Sequence, residues 1–145
     1  MRNVSIKSIY NILNISSIEC FEKLSKISKS HLIDVRTKPE WLFVGIPDLQ
    51  SLQKKTLFIS WQTYPSMKIN SNFKKEILDS KIDKNDNIFL ICRSGQRSLE
   101  AATYLTSLGF TKCRNVIDGF EGFPDKKLQR STVNGWKYNL LPWKQ

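Results

Sequence analysis

Histidine is almost missing from this chain: His31 is the only one among 145 residues. Cysteine is scarce too, with Cys20, Cys92 and Cys113 far apart and no Cys-x-x-Cys pair. Those shortages exclude the usual zinc spacings, which need Cys and His in close pairs, and no metal is expected. They also argue against a papain-like Cys–His pair, because His31 precedes a strand and so falls at the wrong end of a sheet to serve as base. No apolar run approaches the roughly 18 to 20 residues that a membrane span needs. Met1 to Ile15 breaks its apolar residues with Asn, Ser and Lys and has no small-residue cleavage site. It does not read as a secretory signal, so a cytoplasmic protein with no membrane partner is expected. Acidic side chains are few as well, 13 against 23 Lys and Arg, for a net charge of +10. The excess is mostly Lys scattered along the chain, paired only at Lys54-Lys55, Lys74-Lys75 and Lys126-Lys127. That pattern predicts a solvated basic surface that draws small anions, and not a nucleic-acid face.

What is present suits one well-packed domain. Apolar residues make up 40% of the chain, with four Trp and eight Phe, which is inconsistent with disorder throughout. Ser16-Ser17-Ile18-Glu19 reads as a capping box ahead of Phe21, Leu24 and Ile27 at helical spacing. Continuous apolar strands are expected at Leu32–Val35, Thr56–Ser60, Ile88–Ile91 and Cys113–Ile117. Helices are expected at Ser71–Leu78, with Phe73, Ile77 and Leu78 inward, and at Ser98–Leu108, packing through Ala101, Ala102, Leu105 and Leu108 before Gly109 caps it. Strands that alternate with helices and are apolar throughout imply an α/β fold, its parallel sheet covered on both faces. Ligands of such sheets lie beyond the carboxyl ends of the strands, the edge shared by Asp34 and Cys92. Cys20 and Cys113 are expected to be small buried side chains, with a resolving role for Cys113 as the alternative.

The segment Ile88-Phe89-Leu90-Ile91-Cys92-Arg93-Ser94-Gly95-Gln96-Arg97-Ser98 carries the chemistry. An apolar strand ends in Cys92, six residues from Cys92 to Arg97 form a loop, and a helix begins near Ser98. A thiol so placed lies in a curl of backbone N–H groups at the positive end of a helix dipole, which favours an anion. Gly95 supplies the backbone freedom for the curl. Arg93 and Arg97 add fixed positive charge, as substrate contacts or, for Arg97, as a brace to an acidic neighbour. Ser94 and Ser98 can donate to the sulfur or the anion, and Ser98 could equally be only a helix cap.

From Cys92 to Ser98 the chain resembles the active-site loop of rhodanese-type sulfurtransferases, Cys-x-x-Gly-x-Arg-Ser. Leu32-Ile33-Asp34-Val35-Arg36, followed by Glu40-Trp41, resembles that family's first signature, and Gly45-Ile46-Pro47 stands where the family usually has Gly-His-Ile-Pro. Asn115-Val116-Ile117-Asp118-Gly119-Phe120 matches the later strand and glycine turn. The tail Gly135-Trp136-Lys137 with Leu141-Pro142-Trp143 is similar to that of some bacterial single-domain members. The resemblance implies a rhodanese-like open sheet of about five mainly parallel strands with helices on both faces. It implies a single domain over residues 1–145, with the core at about 16–122 and residues 123–145 packed on it. It implies a Cys92 nucleophile that carries a sulfane sulfur from a small anionic donor such as thiosulfate to cyanide, a thiol or a protein acceptor, without metal or organic cofactor. Arg93, Ser94, Gly95, Gln96, Arg97 and Ser98 would surround the donor, and Asp34 with Arg36 would support the loop. Arg36 and Glu40 would pair with each other. A homodimer stays open. The alternatives are a silent interaction module of the same fold, which typically loses the Cys, and a phosphatase or arsenate reductase. The last needs a loop one residue longer, with Arg six positions after the Cys, where this chain has Ser98.

Overall fold

Alternation along one strand sets up two cores. In Asn87–Ile91 (β7), Ile88 and Leu90 point into one cluster of buried side chains, and Phe89 and Ile91 into another. Every apolar residue of that strand is fully buried, as a central strand covered on both faces requires. The computed structural model describes residues 11–145. Residues 1–10, on which most of the reasoning against a signal peptide falls, lie outside the described residues.

The central sheet has five parallel strands: Leu13–Ile15 (β1), Ser30–Asp34 (β2), Leu57–Phe58 (β4), Asn87–Ile91 (β7) and Cys113–Val116 (β8), in the order β1-β8-β7-β2-β4. Helices Phe73–Asp79 (α3) and Gln96–Ser107 (α4) cover one face, where Phe73, Ile77, Ala101, Ala102 and Leu105 pack against Ile33, Ile88 and Leu90. Helix Ser17–Lys26 (α1) covers the other through Cys20 and Leu24, together with Leu49, Phe120 and Trp136. The expected α/β architecture, with about five mainly parallel strands and helices on both faces, is therefore what the chain forms. Among the described residues, no helix is long and apolar enough to cross a membrane.

Local chemistry explains the element ends. Ser16 caps α1 by accepting the Glu19 N–H at 3.1 Å. Gly109, at φ 101°, closes α4, and the following Phe110 N–H returns to the Leu105 carbonyl. Three details differ from expectation. Leu78 faces solvent (52% exposed) because α3 buries only Phe73 and Ile77. The strand expected at Thr56–Ser60 pairs only over Leu57–Phe58, at the sheet edge. Strand β1 was not expected; its three residues hold a place only because β8 offers an open ladder beside it.

The tail returns across the second core. Trp136 is fully buried, meets Phe21 edge-on at 5.9 Å and donates its indole N–H to the Pro142 carbonyl. Strand Trp143–Lys144 (β9) then pairs antiparallel with Ile46–Pro47 (β3), and Gln62–Thr63 (β5) pairs antiparallel with Lys68–Ile69 (β6). Asp118 joins the tail to α1, accepting from the Ser17 N–H and hydroxyl at 2.8 Å each and from the Gly135 N–H at 3.1 Å. The same carboxylate and complete burial push the Cys20 thiol up, burial being the larger cause.

Candidate active site

The Cys92 sulfur sits where β7 ends, inside the curl that leads into α4. The Gly95 N–H donates to it at 3.1 Å and the Ser98 N–H reaches it at 3.4 Å, with the Ser98 hydroxyl oxygen at 3.1 Å. These donors belong to the last loop residue and the first turn of a twelve-residue helix, so the helix dipole points its positive end at the sulfur. Gly95 is the residue before the helix, at φ 99°, and a Cβ there would strike the Ile117 carbonyl. Helix α4 thus begins at Gln96, two residues before the expected start. Ser98 is inside the first turn and is not the cap.

The back of the loop is fastened to the turn after β8. Phe120 N–H donates to the Cys92 carbonyl at 2.8 Å, and the Glu121 and Gly122 N–H groups donate to the Arg93 carbonyl at 3.0 and 3.2 Å. Gly119, at φ 66°, lies so close beneath that a Cβ would run into the carbonyls of both Arg93 and Cys92.

Ion pairing departs from expectation. Arg36 does not pair with Glu40. Its guanidinium is fully buried and forks onto Asp34, with Nε 3.0 Å and an NH2 group 2.7 Å from the carboxylate oxygens. The same Arg36 donates to the Gly45 carbonyl and stacks over the Phe120 ring at 4.2 Å. Asp34 therefore makes its link to the loop through Arg36 and Phe120, and acts on Arg97 by its charge. Glu40 instead receives both arms of Arg97, at 2.8 and 3.0 Å. The reason is helix Lys38–Phe43 (α2), whose first turn is locked by Thr37 donating its N–H and hydroxyl to Glu40, so that this carboxylate faces the Cys92 loop. Burial pushes the Glu40 carboxyl up, but the hydrogen bonds and charge of Arg97 and the Thr37 contacts outweigh it and hold the group at about 2. For Arg97, burial works against the charge, yet Glu40, with lesser help from the Cys92 sulfur and Asp34, raises its affinity for the proton.

Arg93 points outward and has no hydrogen-bond partner among the described residues, which leaves it the free cation of the loop. Ser94 is half-buried and Gln96 exposed. The other thiols are placed differently. Cys113 donates to the Phe110 carbonyl and burial pushes it up to about 12; Cys20 lies under α1. Grooves of about 510 and 390 Å³ line the β3–β4 edge and the α2 flank, and neither includes Cys92. Asn115, buried on β8, was not foreseen as part of the site: the amide meets the Ser98 hydroxyl at 2.5 Å and the Gly95 carbonyl at 3.1 Å. A polar residue inside an otherwise apolar strand was the available signal.

The rhodanese-like domain family matches residues 17–126. The chain belongs to the rhodanese-like family. An uncharacterized protein of Rickettsia conorii is 43% identical over 115 residues, covering 79% of this chain and 82% of its own. The crystal structure of Rv0390 from M. tuberculosis superposes with a TM-score of 0.84 at 39% identity, covering 91% of this chain and 96% of that one. Thiosulfate sulfurtransferase 18 of Arabidopsis thaliana is 35% identical over 63 residues, 43% of this chain and 46% of its own. This rhodanese-like chain thus stands among sulfurtransferase-type relatives.

Proposed function

We propose that this rhodanese-like protein is a sulfurtransferase that carries sulfane sulfur on Cys92. The observation that carries the reading is the Cys92 sulfur held by the Gly95 and Ser98 N–H groups at the head of α4, beside Arg97 and Arg93. The Cys92 thiolate attacks the outer sulfur of thiosulfate. A new S–S bond forms to Cys92, the S–S bond of thiosulfate breaks, and its electron pair leaves with sulfite. The persulfide anion that remains replaces the thiolate charge under the same donors, so no proton has to move and no general base is needed. Cyanide or a thiolate then attacks the terminal sulfur, takes it away and restores the Cys92 thiolate, which completes a two-step cycle.

The tightness of the curl supports a sulfur atom over a phosphoryl group. Cys92 is only 1% exposed. Arg97, the one cation that closes the loop, is committed to Glu40 and not turned in to grip a tetrahedral oxyanion. Arg93 is free to meet the sulfonate end of the donor at the mouth, with Ser94 and Gln96 beside it. A thiosulfate-plus-cyanide assay tests the reading: thiocyanate should form with the wild type and not with Cys92→Ser. Release of phosphate from an aryl phosphate without any thiocyanate would assign the loop to phosphoryl transfer instead. Silence towards both would leave a binding module.

A further inference from the structure

Asn115 has no role in the cycle just described, yet it is buried behind Ser98 and Gly95 and makes three hydrogen bonds. Its amide orientation is fixed by its neighbours. The Gly95 carbonyl, 3.1 Å from Nδ2, can only accept, so the NH2 group faces it, and the second N–H goes to the Asn14 Oδ1 at 3.0 Å. The carbonyl oxygen of Asn115 therefore faces Ser98, with 2.5 Å between Oδ1 and Oγ. An amide oxygen carries no proton, so the proton of this contact is the hydroxyl proton of Ser98, and Ser98 has no other.

We infer that Asn115 is a positioning residue that takes the Ser98 hydroxyl proton, so that Ser98 turns a lone pair, not a donor, towards the Cys92 sulfur. The 3.1 Å contact between Ser98 Oγ and the sulfur is then S–H···O in the thiol. The thiolate keeps only the two backbone donors, Gly95 N–H and Ser98 N–H. A sulfur anion that accepts fewer hydrogen bonds is the stronger nucleophile, so the arrangement trades ease of ionisation for reactivity. Asn115 cannot pass the proton onward, so the chain Cys92–Ser98–Asn115 is a lock and not a relay. The inference deepens the sulfurtransferase reading but does not depend on turnover, because it concerns where the Ser98 hydroxyl proton points in the free protein.

The test is the pH profile of Cys92 alkylation by iodoacetamide, in Cys20→Ser/Cys113→Ser protein so that one thiol reports. Arg97 of α4, whose charge acts on the sulfur, its partner Glu40 of α2, the Asp34–Arg36 pair at the end of β2 and Arg93 of the loop are all unchanged in the variants. If Ser98 only accepts from the thiol, Ser98→Ala removes support from the protonated form and moves the profile to lower pH. If Ser98 donates to the thiolate, the same change moves it to higher pH. A single hydrogen bond of ordinary strength corresponds to a shift of about 0.5 to 1 pH unit. In Asn115→Ala protein the freed hydroxyl turns to the sulfur, so Ser98→Ala in that background should shift the profile upward. The expected result is this reversal of sign. An upward shift for Ser98→Ala in the otherwise native site, or no shift, overturns the inference whatever Asn115→Ala does to folding. Loss of thiocyanate formation with the reversal intact would instead count against the sulfurtransferase reading alone.

Discussion

Replacing Glu40 with Gln should cost stability in a way that depends on pH. Glu40 receives both arms of Arg97 and both donors of Thr37, and these contacts hold its carboxyl at about 2 against an ordinary ~4.3. The carboxylate is depressed in the folded state, so its stabilisation is full above pH ~4.3 and is lost as pH falls towards 2. A difference of about two units corresponds to roughly 3 kcal/mol at pH 7 as an upper bound, and about half of that remains at pH 3. Both side chains are about four-fifths shielded from solvent (16% and 19% exposed), so some screening applies, and about 2 kcal/mol is the expected loss. Gln keeps the volume and two hydrogen-bonding atoms but leaves Arg97 without an anion. Urea unfolding of wild type and Glu40→Gln at pH 7, 5 and 3 is the assay. The gap should be near its full size at pH 7 and 5 and shrink by pH 3. A gap that is absent, or equal at all three values, would refute the Arg97–Glu40 brace.

Arg93→Ala should lower kcat/KM for thiosulfate roughly ten- to a hundredfold, the worth of a charge-assisted contact, with little change in Tm because the side chain points into solvent. Full activity in that variant would leave anion binding to the loop amides. Gly119→Ala should destabilise by about 2 to 4 kcal/mol, since a Cβ there meets the carbonyls of Cys92 and Arg93 at a left-handed φ, and thermal melts would show it. Cys113→Ser should keep thiocyanate formation close to wild type, because a thiol pushed up to about 12 does not exchange at neutral pH; a large loss would assign it a resolving role.

The fold and the Cys92 loop were legible because each rests on a local pattern. Ile88–Ile91 is apolar without a break, as a strand covered on both faces requires, and Gly95 with Cys92 marks a curl rather than a packed turn. Pairing was less legible because it depends on where helix faces point. Thr37-Lys38-Pro39-Glu40 contains a capping signal with Pro near the start, and the helix it begins turns Glu40 away from Arg36 and onto Arg97. Strand β1 is three residues long and exists only against β8. Asn115 carried no chemical signature in the sequence beyond being polar in a strand. Its place under Gly95 and Ser98 arises from parallel β7–β8 register, which no local pattern encodes.

A sulfurtransferase of this kind must hold the transferred sulfur on Cys92. Incubation with thiosulfate, removal of the excess and intact-mass measurement test it most directly. The wild type should gain the mass of one sulfur atom, the gain should vanish on adding cyanide, and Cys92→Ser should show none while Cys20→Ser and Cys113→Ser keep it. Persistence of the adduct in Cys92→Ser, or no adduct in the wild type, would contradict the account.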